Sequence, residues 1–575
     1  MTDFDLVIRG GTIIDGSGSD GFIGDVAVTG DKVVEVGTVS GTGKREIDAT
    51  GRIVAPGFVD IHTHFDGQAT WDSYLQPTSW HGVTTAVMGN CGVGFAPAIP
   101  ADHQRLIQLM EGVEDIPGVA LTEGLSWDWQ TFPEFLDALE RRPHDVDFAT
   151  QVPHAALRVS AMGTRAASHE IATGEEVSMM AKLAAEAIEA GALGFSTSRT
   201  LNHKSSSGEL TPSYRAGVDE LVAIAKAIGE TGTGVLQLVS DLPVKDQAEL
   251  ELVTKMLEAS GRPMSLSLAQ GGPNPNRYKV LLDFITEMND RGHTLRGQAG
   301  ARAIGIILGL ECTLNPFMMN PVFKTEIAHL SVAEQAKKMA DPEMKARILA
   351  AQTNEKDPNV IGGGLIDFYS HMVYLADPPD YEPDLSTQSL ENRAIAEGRT
   401  PEDIAYDIMV EDEGKGKLYA PLVNYGHGNL DAVREMLAHP HTVPGLSDGG
   451  AHVGTICDGS FPTTLLQYWA RDRSHDRLSL PFVIARQSRV TAETVGLLDR
   501  GLLQPGYKAD INIIDMDELH LYRPTVQFDL PAGGRRLLQR ADGYKHTFVS
   551  GVEVYHDGVA TGELPGKLVR GAQSV

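Results

Sequence analysis

The chain has 575 residues, of which 42% are hydrophobic and 22% are charged, a balance typical of globular proteins. Its 77 acidic and 48 basic residues give a net charge of −29, which repels phosphate backbones and argues against nucleic acid as a partner. A membrane span needs about 18–20 apolar residues, and the longest apolar candidate, 303–310, is far too short.

The cysteine content and the first residues bear on the compartment. Three cysteines, Cys91, Cys312 and Cys457, do not make a disulfide framework. The first five residues are acidic and are not followed by the apolar run of a secretory signal. Both features predict a cytoplasmic protein. We also expect it to act on a small molecule, and it could form a homo-oligomer.

Strand patterns separated by glycine, aspartate and serine turns occupy both ends of the chain. They cover residues 6–14, 25–28 and 32–36 near the start, and 509–515 and 547–554 near the end. A chain of this length forms more than one compact core. We therefore predict one small β-sandwich domain that is built from residues 1–56 and 486–575. Two unrelated β-caps are the alternative.

Strand and helix patterns alternate through the middle of the chain. The predicted strands are the one that carries His62 and those at 84–91, 147–154, 192–198, 234–240, 264–269, 294–298 and 442–448. Helical spacing lies between several of them, at 175–190, 218–230, 247–260 and 280–291. Repeated β–α units form parallel sheets, so eight of them predict an α/β protein with a (β/α)8 barrel over residues 57–485.

The stretch between the seventh and eighth predicted strands, about 303–440, is far longer than an ordinary connection. It contains helical patterns at 332–339 and 430–437, together with loops that are rich in Asp, Pro and Glu. We expect a lid or a small inserted subdomain over the barrel mouth.

Four residues with metal-binding or acidic side chains lie at predicted strand ends. His62 and His64 follow the first strand, and because side chains alternate along a strand their rings point to the same side. Each ring can place a nitrogen about 2.0–2.1 Å from one zinc-like ion. Cys91 ends the second strand and Asp448 the eighth. Active residues of a barrel lie at these strand ends, so we predict that the four side chains meet there.

The two histidines, the segment Gly89-Asn90-Cys91-Gly92 and Asp448 together resemble the amidohydrolase superfamily, and within it the N-acyl-D-amino-acid deacylases, or D-aminoacylases. The resemblance covers nearly the whole chain and implies hydrolysis of an amide carbon–nitrogen bond. It also implies that His62, His64 and Cys91 hold zinc, and that Asp448 binds metal or serves as general acid and base.

The sequence departs from this family on two strands. The family takes one further histidine from each of strands five and six, whereas these strands contain Gln237 and Gln270 here. Neutral amides are weak zinc ligands. We therefore predict a single four-coordinate ion whose ligands are His62, His64, Cys91 and Asp448.

Other polar residues lie near strand ends. Three are histidines (His154, His203 and His452); His203 or His452 could replace a missing ligand, although structural roles are the simpler explanation in a chain with 19 histidines. We assign His452, Arg199 and Arg302 to substrate binding. Both arginines can pair bidentately with a substrate carboxylate, and ordinary ion pairing is the alternative.

Three functions fit these features. The first is metal-dependent deacylation of an N-acyl amino acid, in which Asp448 takes a proton from water and passes it to the leaving amine. The second is hydrolysis of a cyclic amide, carbamate or ester. The third is a barrel that binds a small ligand without catalysis, but such a barrel has no physical need for the complete set of His62, His64, Cys91 and Asp448.

Overall fold

The computed structural model describes residues 3–241, 247–271, 274–357, 360 and 362–575. At its centre, eight parallel strands follow one another in chain order around a curled sheet. We number these barrel strands one to eight: Phe58–Asp60, Val83–Met88, Asp147–Pro153, Gly194–Arg199, Val235–Ser240, Met264–Leu268, Leu295–Ala299 and Thr442–Pro444. A parallel bridge between Thr63 and Gly449 joins the first strand to the last. The predicted α/β barrel is confirmed.

The barrel strands form where the sequence has continuous buried runs. Every residue of Val83–Met88 and of Asp147–Pro153 is buried, as expected for parallel strands that are covered on both faces. The helix Gly174–Ala190 shows how the covering layer is built, since it buries Met180 and Ile188 on one face. This helix begins at Thr173, whose side chain accepts a hydrogen bond from the Glu176 backbone in a capping box.

The other helices of the barrel region occupy the connections between its strands and the segment after the eighth strand. Before that strand they are Gln68–Trp71, the 3-10 turn Thr78–His81, His103–Glu114, Gly118–Gly124, Phe132–Glu140, His154–Met162, Thr164–Ala167, Val218–Glu230, Gln247–Ser260, Arg277–Asp290 and Asp431–Ala438. After it they are Phe461–Thr464, Leu465–Asp472, Leu480–Ala485, Arg486–Val490 and Thr491–Thr494. Among the described residues, no helix is long and apolar enough to cross a membrane.

Strands from the two ends of the chain form one nine-stranded sheet. Its members are Phe4–Ile13, Phe22–Thr29, Lys32–Gly37, Gly43–Asp48 and Ile53–Pro56 from the start, and Ile511–Ile514, Tyr544–Val549, Val552–His556 and Val559–Ala560 from the end. The two sets join where Ile511–Ile514 pairs antiparallel with Ile53–Pro56. Val26, Ile511 and Phe548 belong to a shared apolar cluster, so both ends contribute to one core. The boundaries at residues 56 and 486 stay predictions.

Short strand pairs complete the C-terminal region. His520–Leu521 pairs with Ala541–Asp542, and Thr525–Leu530 pairs with Gly534–Leu538 across the turn Pro531–Gly533. Leu530 and Leu538 are buried in the same apolar cluster as the barrel core. This region therefore packs on the barrel rather than standing apart from it.

The long insertion has its own sheet and apolar clusters. Ile304–Leu308 and Leu418–Val423 pair antiparallel, and Val373–Tyr374 adds a third strand. Its helices are Pro321–Glu326, Val332–Met339, Pro342–Ala350, the 3-10 turn Gly363–Leu365, Leu385–Gln388, Leu390–Glu397 and Pro401–Gly414. Leu308, Ile404 and Leu418 lie in a cluster separate from the barrel core. The insertion therefore has a sheet and an apolar cluster of its own, and its division into a separate subdomain stays a prediction.

Candidate metal centre

The side chains of His62, His64 and Cys91 converge at the carboxyl ends of barrel strands one and two. All three are buried, and their potential ligand atoms lie within 4.8 Å of one another. His62 Nε2 is 3.2 Å from Cys91 Sγ and 3.3 Å from Asp448 Oδ1. His64 Nε2 is 3.7 Å from the same oxygen of Asp448. The structure thus brings the four predicted metal-binding side chains together.

Backbone hydrogen bonds to two neighbouring strand ends hold the histidine segment. Just after the first strand, Thr63 N–H donates to the carbonyl of Val87 on the second strand, at 3.0 Å. On the opposite side His64 N–H donates to the Gly449 carbonyl at 2.7 Å, and Asp448 N–H donates to the His62 carbonyl at 3.1 Å. The extended chain is therefore fixed on both edges, which keeps the alternation that directs both rings to one side.

Gln298, which the sequence analysis did not single out, orients the ring of His62. The amide lies on barrel strand seven, and its Oε1 is 2.6 Å from His62 Nδ1. Gln298 Nε2 in turn donates to Ser265 Oγ at 2.9 Å. An amide oxygen accepts only, so Nδ1 carries the proton and Nε2 presents its lone pair to the cluster. Burial lowers the pKa of His62 to about 4, which keeps the ring neutral.

Several residues of the site have left-handed backbone conformations. The φ angles are 54° at Cys91, 48° at Asp448 and 50° at His452. Such angles cost roughly 1–3 kcal/mol outside glycine and are often found at functional sites. Gly92, beside Cys91, has a φ of 68°, and a Cβ there would lie 2.9 Å from the Ser198 backbone nitrogen. This close approach explains why the last residue of the Gly-Asn-Cys-Gly segment is a glycine.

The ionisation of the cluster suits a metal cation. Burial alone would raise the pKa of Asp448, but the hydrogen bond from His64 and the charges of His62, His64 and His452 outweigh it and hold the pKa well below its usual value. Burial raises the pKa of the Cys91 thiol to about 12. Two imidazoles, a thiol that must lose its proton and an ionised carboxylate are a donor set that zinc prefers, so the residues fit that ion.

Three further carboxylates lie around the cluster. Glu114 has a relative exposure of 1%, and its Oε1 is 3.3 Å from His64 Nδ1. Asp60 accepts from Ser447 Oγ at 2.5 Å, and burial raises its pKa to about 7. Burial also raises the pKa of Asp66, to about 6. Asp60 and Asp66 flank the two histidines in the sequence, whereas Glu114 lies on a helix 50 residues after His64 and has no such proximity.

Gln237 within barrel strand five and Gln270 just after barrel strand six direct their amide oxygens to backbone N–H groups. Gln237 Oε1 accepts from the Cys91 backbone at 3.1 Å. Gln270 Oε1 accepts from the Gly426 backbone at 2.8 Å, where the insertion returns to the barrel. Both amide oxygens are therefore engaged in fastening loops.

The proposed substrate arginines have protein partners. Arg199 forms an ion pair with Glu249 at 2.6 Å and donates to the Ala216 carbonyl. Arg302 is buried, forms an ion pair with Asp458 at 3.1 Å and lies over the Tyr381 ring at 3.6 Å. The structure brings neither guanidinium into the metal cluster.

The three flanking histidines differ in position. His452 Nε2 is 3.6 Å from Glu114 Oε2 and 4.0 Å from Asp448 Oδ2, so this ring borders the cluster. The pKa of His203 is lowered to about 3, first by burial and then by the charges of His452 and His64, which shows that it is a neighbour of the site. His154 instead pairs with Glu220 at 2.8 Å, between a strand and the covering helices.

An eight-stranded parallel barrel with two histidines, a cysteine and an aspartate at its strand ends defines a metal-dependent hydrolase. Residues 45–555 match the amidohydrolase family, and the chain belongs to that family. It is thus a hydrolase of carbon–nitrogen bonds other than peptide bonds, and the resemblance inferred from its motifs is confirmed.

Relatives and solved structures agree with this assignment. A D-aminoacylase of Alcaligenes xylosoxydans xylosoxydans is 28% identical over 574 residues, which cover 98% of this chain and 97% of that protein. An N-acyl-D-aspartate deacylase of the same organism is 26% identical, with coverages of 98% and 95%. A D-aminoacylase crystal structure shares the fold with a TM-score of 0.64, at 24% identity over 99% of this chain and 100% of that one.

A second solved structure shares the same fold. It is the N-acyl-D-glutamate deacylase of Bordetella bronchiseptica, complexed with zinc and a phosphonate inhibitor that mimics the tetrahedral intermediate. Its TM-score is 0.63 at 22% identity, and the match covers 99% of each chain.

Proposed function

We propose that this protein removes the acyl group from small N-acyl amino acids, in the manner of a D-aminoacylase, with one zinc ion per chain. The observation that carries the proposal is that His62 Nε2 lies 3.2 Å from Cys91 Sγ and 3.3 Å from Asp448 Oδ1. The relatives named above, which deacylate D-amino-acid derivatives, support the choice of substrate class.

His62, His64 and Cys91 would hold the ion, with Asp448 beside it. Zinc at this position supplies Lewis acidity toward the attacking water and the scissile carbonyl. Asp448 takes the proton of the water and gives it to the leaving amine. The second transfer is favourable, because an amine nitrogen is a much stronger base than a carboxylate.

The glutamines support a single ion. A solved D-aminoacylase has a binuclear metal centre in which one metal activates and a second attenuates. In this chain Gln237 and Gln270 stand where the family pattern has histidines, and both amide oxygens accept backbone hydrogen bonds. A second ion would therefore lack imidazole ligands from strands five and six.

The substrate-binding residues are part of the proposal. His452 borders the cluster and can contact a bound substrate. A carboxylate anchor at Arg199 or Arg302 stays a prediction. The guanidinium would have to contact the substrate carboxylate and its present acidic partner at the same time. We further propose a cytoplasmic location, since all three cysteines are free thiols.

A panel of N-acyl amino acids in both the D and the L configuration tests this function. Zinc-loaded protein should release free amino acid from at least one member, and protein stripped by a chelator should release none. Turnover confined to cyclic amides, carbamates or esters would favour the second function, and zinc-loaded protein without turnover on any substrate would favour a binding barrel.

The metal count needs one control. His546, Glu553 and His556 form another group of potential ligands, on the terminal sheet. A purified protein with two ions could therefore be mistaken for one with a binuclear barrel site. The count should be repeated in a His556→Ala variant, where we expect one ion per chain. That ion should be lost only when Cys91 or its neighbouring histidines are also changed.

A further inference from the structure

Glu114 is a buried carboxylate without an evident structural partner. It ends the helix His103–Glu114, has a relative exposure of 1% and lies against the metal cluster. Within the described residues, neither of its side-chain oxygens has a hydrogen-bond partner. Burial of an ionised carboxylate is strongly unfavourable unless opposite charges or hydrogen-bond donors compensate it. The groups close enough to do so are His64 and His452.

The first contact involves the outer nitrogen of His64. Glu114 Oε1 is 3.3 Å from His64 Nδ1, while Nε2 of the same ring faces Asp448 and the other metal-binding atoms. Nδ1 has no hydrogen-bond partner in the described part of the chain, so Glu114 Oε1, at ion-pair distance, is the acceptor that its proton can reach. A proton held between Nδ1 and a carboxylate leaves the Nε2 lone pair free for an ion and makes the ring a stronger ligand. Gln298 does the corresponding work for His62 with a neutral amide.

The second contact fixes His452. The backbone N–H of His452 donates to the Glu114 carbonyl, and its Nε2 is 3.6 Å from Glu114 Oε2. The same ring is 4.0 Å from Asp448 Oδ2. His452 has a φ of 50°, a conformation that needs support from its surroundings. Glu114 therefore contacts both the backbone and the ring of a residue that borders Asp448.

We propose that Glu114 is a positioning residue that couples the two functions of the site. Its Oε1 orients His64 as a ligand, and its Oε2 holds the His452 ring beside Asp448. The catalytic half of this inference rests on the proposed function, whereas the ligand half requires only that the protein binds zinc.

The adjacent Asp115 offers a matched control. It caps the same helix and is partly buried, but its Oδ2 accepts from the Gly454 backbone at 3.1 Å and from Thr313 Oγ1 at 3.3 Å. Asp115 thus supports the segment after His452 without an ion-pair contact to either ring. Asp115→Asn removes one negative charge at the same helix end and keeps an acceptor oxygen.

The experiment compares Glu114→Gln, Glu114→Asp and Asp115→Asn in the full-length protein. Zinc affinity is measured by competition with a chromophoric chelator, without substrate, and folding is checked by circular dichroism. We expect Glu114→Gln to weaken zinc binding by about 10–100-fold, the usual effect of removing a carboxylate behind a ligand histidine. Glu114→Asp should recover part of that loss, and Asp115→Asn should stay within about twofold of the unaltered chain.

Kinetics give the second readout. On a substrate that the unaltered enzyme hydrolyses, zinc-saturated Glu114→Gln should lose kcat through Asp448 and raise KM through His452, since Glu114 positions both residues without contacting substrate itself. A zinc affinity of Glu114→Gln equal to that of the unaltered chain would overturn the inference. So would an equal loss in Asp115→Asn.

The remaining outcomes are also decisive. If Glu114→Gln does not fold, the affinity of Glu114→Asp decides: an unchanged value overturns the inference, and a loss that exceeds that of Asp115→Asn supports it. A protein that binds zinc but hydrolyses nothing overturns the proposed function and leaves the affinity comparison valid.

Discussion

The two sides of the barrel mouth use equivalent positions of the fold for different purposes. On one side, which we call the metal side, the ends of strands one, two and eight bring together His62, His64, Cys91 and Asp448. On the other, the amide side, Gln237 within strand five and Gln270 just after strand six have amide oxygens that accept backbone hydrogen bonds. The position at a strand end gives a side chain access to the mouth, but the residue type decides whether its atoms are free for a ligand or fasten a loop.

The two sides are also connected. Gln237 on the amide side accepts the backbone N–H of Cys91, a residue of the metal side. Gln237 therefore supports the backbone of a residue that we propose as a metal ligand. In the same way, Gln270 after strand six supports the end of the insertion that returns to the barrel.

The largest effect should come from Asp448 on the metal side. Asp448→Asn keeps the size of the side chain but cannot accept a proton, so kcat should fall by roughly 10²–10⁴-fold. Steady-state rates and metal content should be measured on the same sample, which separates loss of the proton carrier from loss of the ion. Near-normal turnover would remove Asp448 from the mechanism.

Cys91 should dominate metal retention. Cys91→Ala should weaken zinc binding by more than about 100-fold, since even supporting groups behind a ligand contribute roughly 10–100-fold. Cys457→Ala is the matched control, because Cys457 is also a buried free thiol whose pKa is raised to about 12 by burial. Chelator competition measures both. Full occupancy in Cys91→Ala would make this cysteine a core residue only.

The amide side can be tested by replacing each glutamine with leucine. Gln237→Leu leaves the buried backbone N–H of Cys91 without its acceptor, so it should lower the free energy of unfolding by about 1–3 kcal/mol. Gln270→Leu frees the backbone N–H of the exposed Gly426, which water can satisfy, so it should cost less. Only Gln237→Leu should also weaken zinc binding, through the backbone of Cys91. Urea denaturation and chelator competition measure the two effects. A larger loss of zinc affinity in Gln270→Leu would contradict the assignment of supporting roles.

The smallest effect concerns a buried histidine outside the cluster, His81. Its nitrogens contact Thr463 Oγ1 and the Gln539 carbonyl, and burial lowers its pKa to about 3. Below pH 6.5 the unfolded chain binds a proton at this ring that the folded chain does not. As the pH falls, the contribution of His81 to stability therefore decreases, by about 1 kcal/mol between pH 6.5 and 5.5, and it levels off below the folded pKa.

Urea denaturation of His81→Gln and of the unaltered chain at these two pH values checks this slope. The variant should lose less stability on acidification than the unaltered chain. Equal slopes would mean that burial does not keep this ring neutral. The comparison also indicates whether burial alone, without a metal, suffices to keep His62 neutral on the metal side.

Much of the barrel could be predicted because buried parallel strands have continuous apolar runs with helical spacing between them. Strand ends were less accurate. Strand two was predicted to reach Cys91 but ends at Met88, where Gly89 and Cys91 have φ angles of 77° and 54°. Strand eight was predicted to reach Asp448 but ends at Pro444, before the left-handed Leu446. The site lies on this irregular backbone, which the periodicity of side chains does not reveal.

The sequence by itself determined the barrel, the terminal sheet and the histidine, cysteine and aspartate side chains that meet at the strand ends, because each depends on local periodicity and on the rule that parallel strands end at one edge. Only the tertiary structure decided the partners of the long charged side chains. Arg302 pairs with Asp458, 156 residues away, and Glu114 reaches His64 and His452 from a separate helix. A buried charge needs a counter-charge or a donor wherever the fold supplies one, and that neighbour can come from any part of the chain.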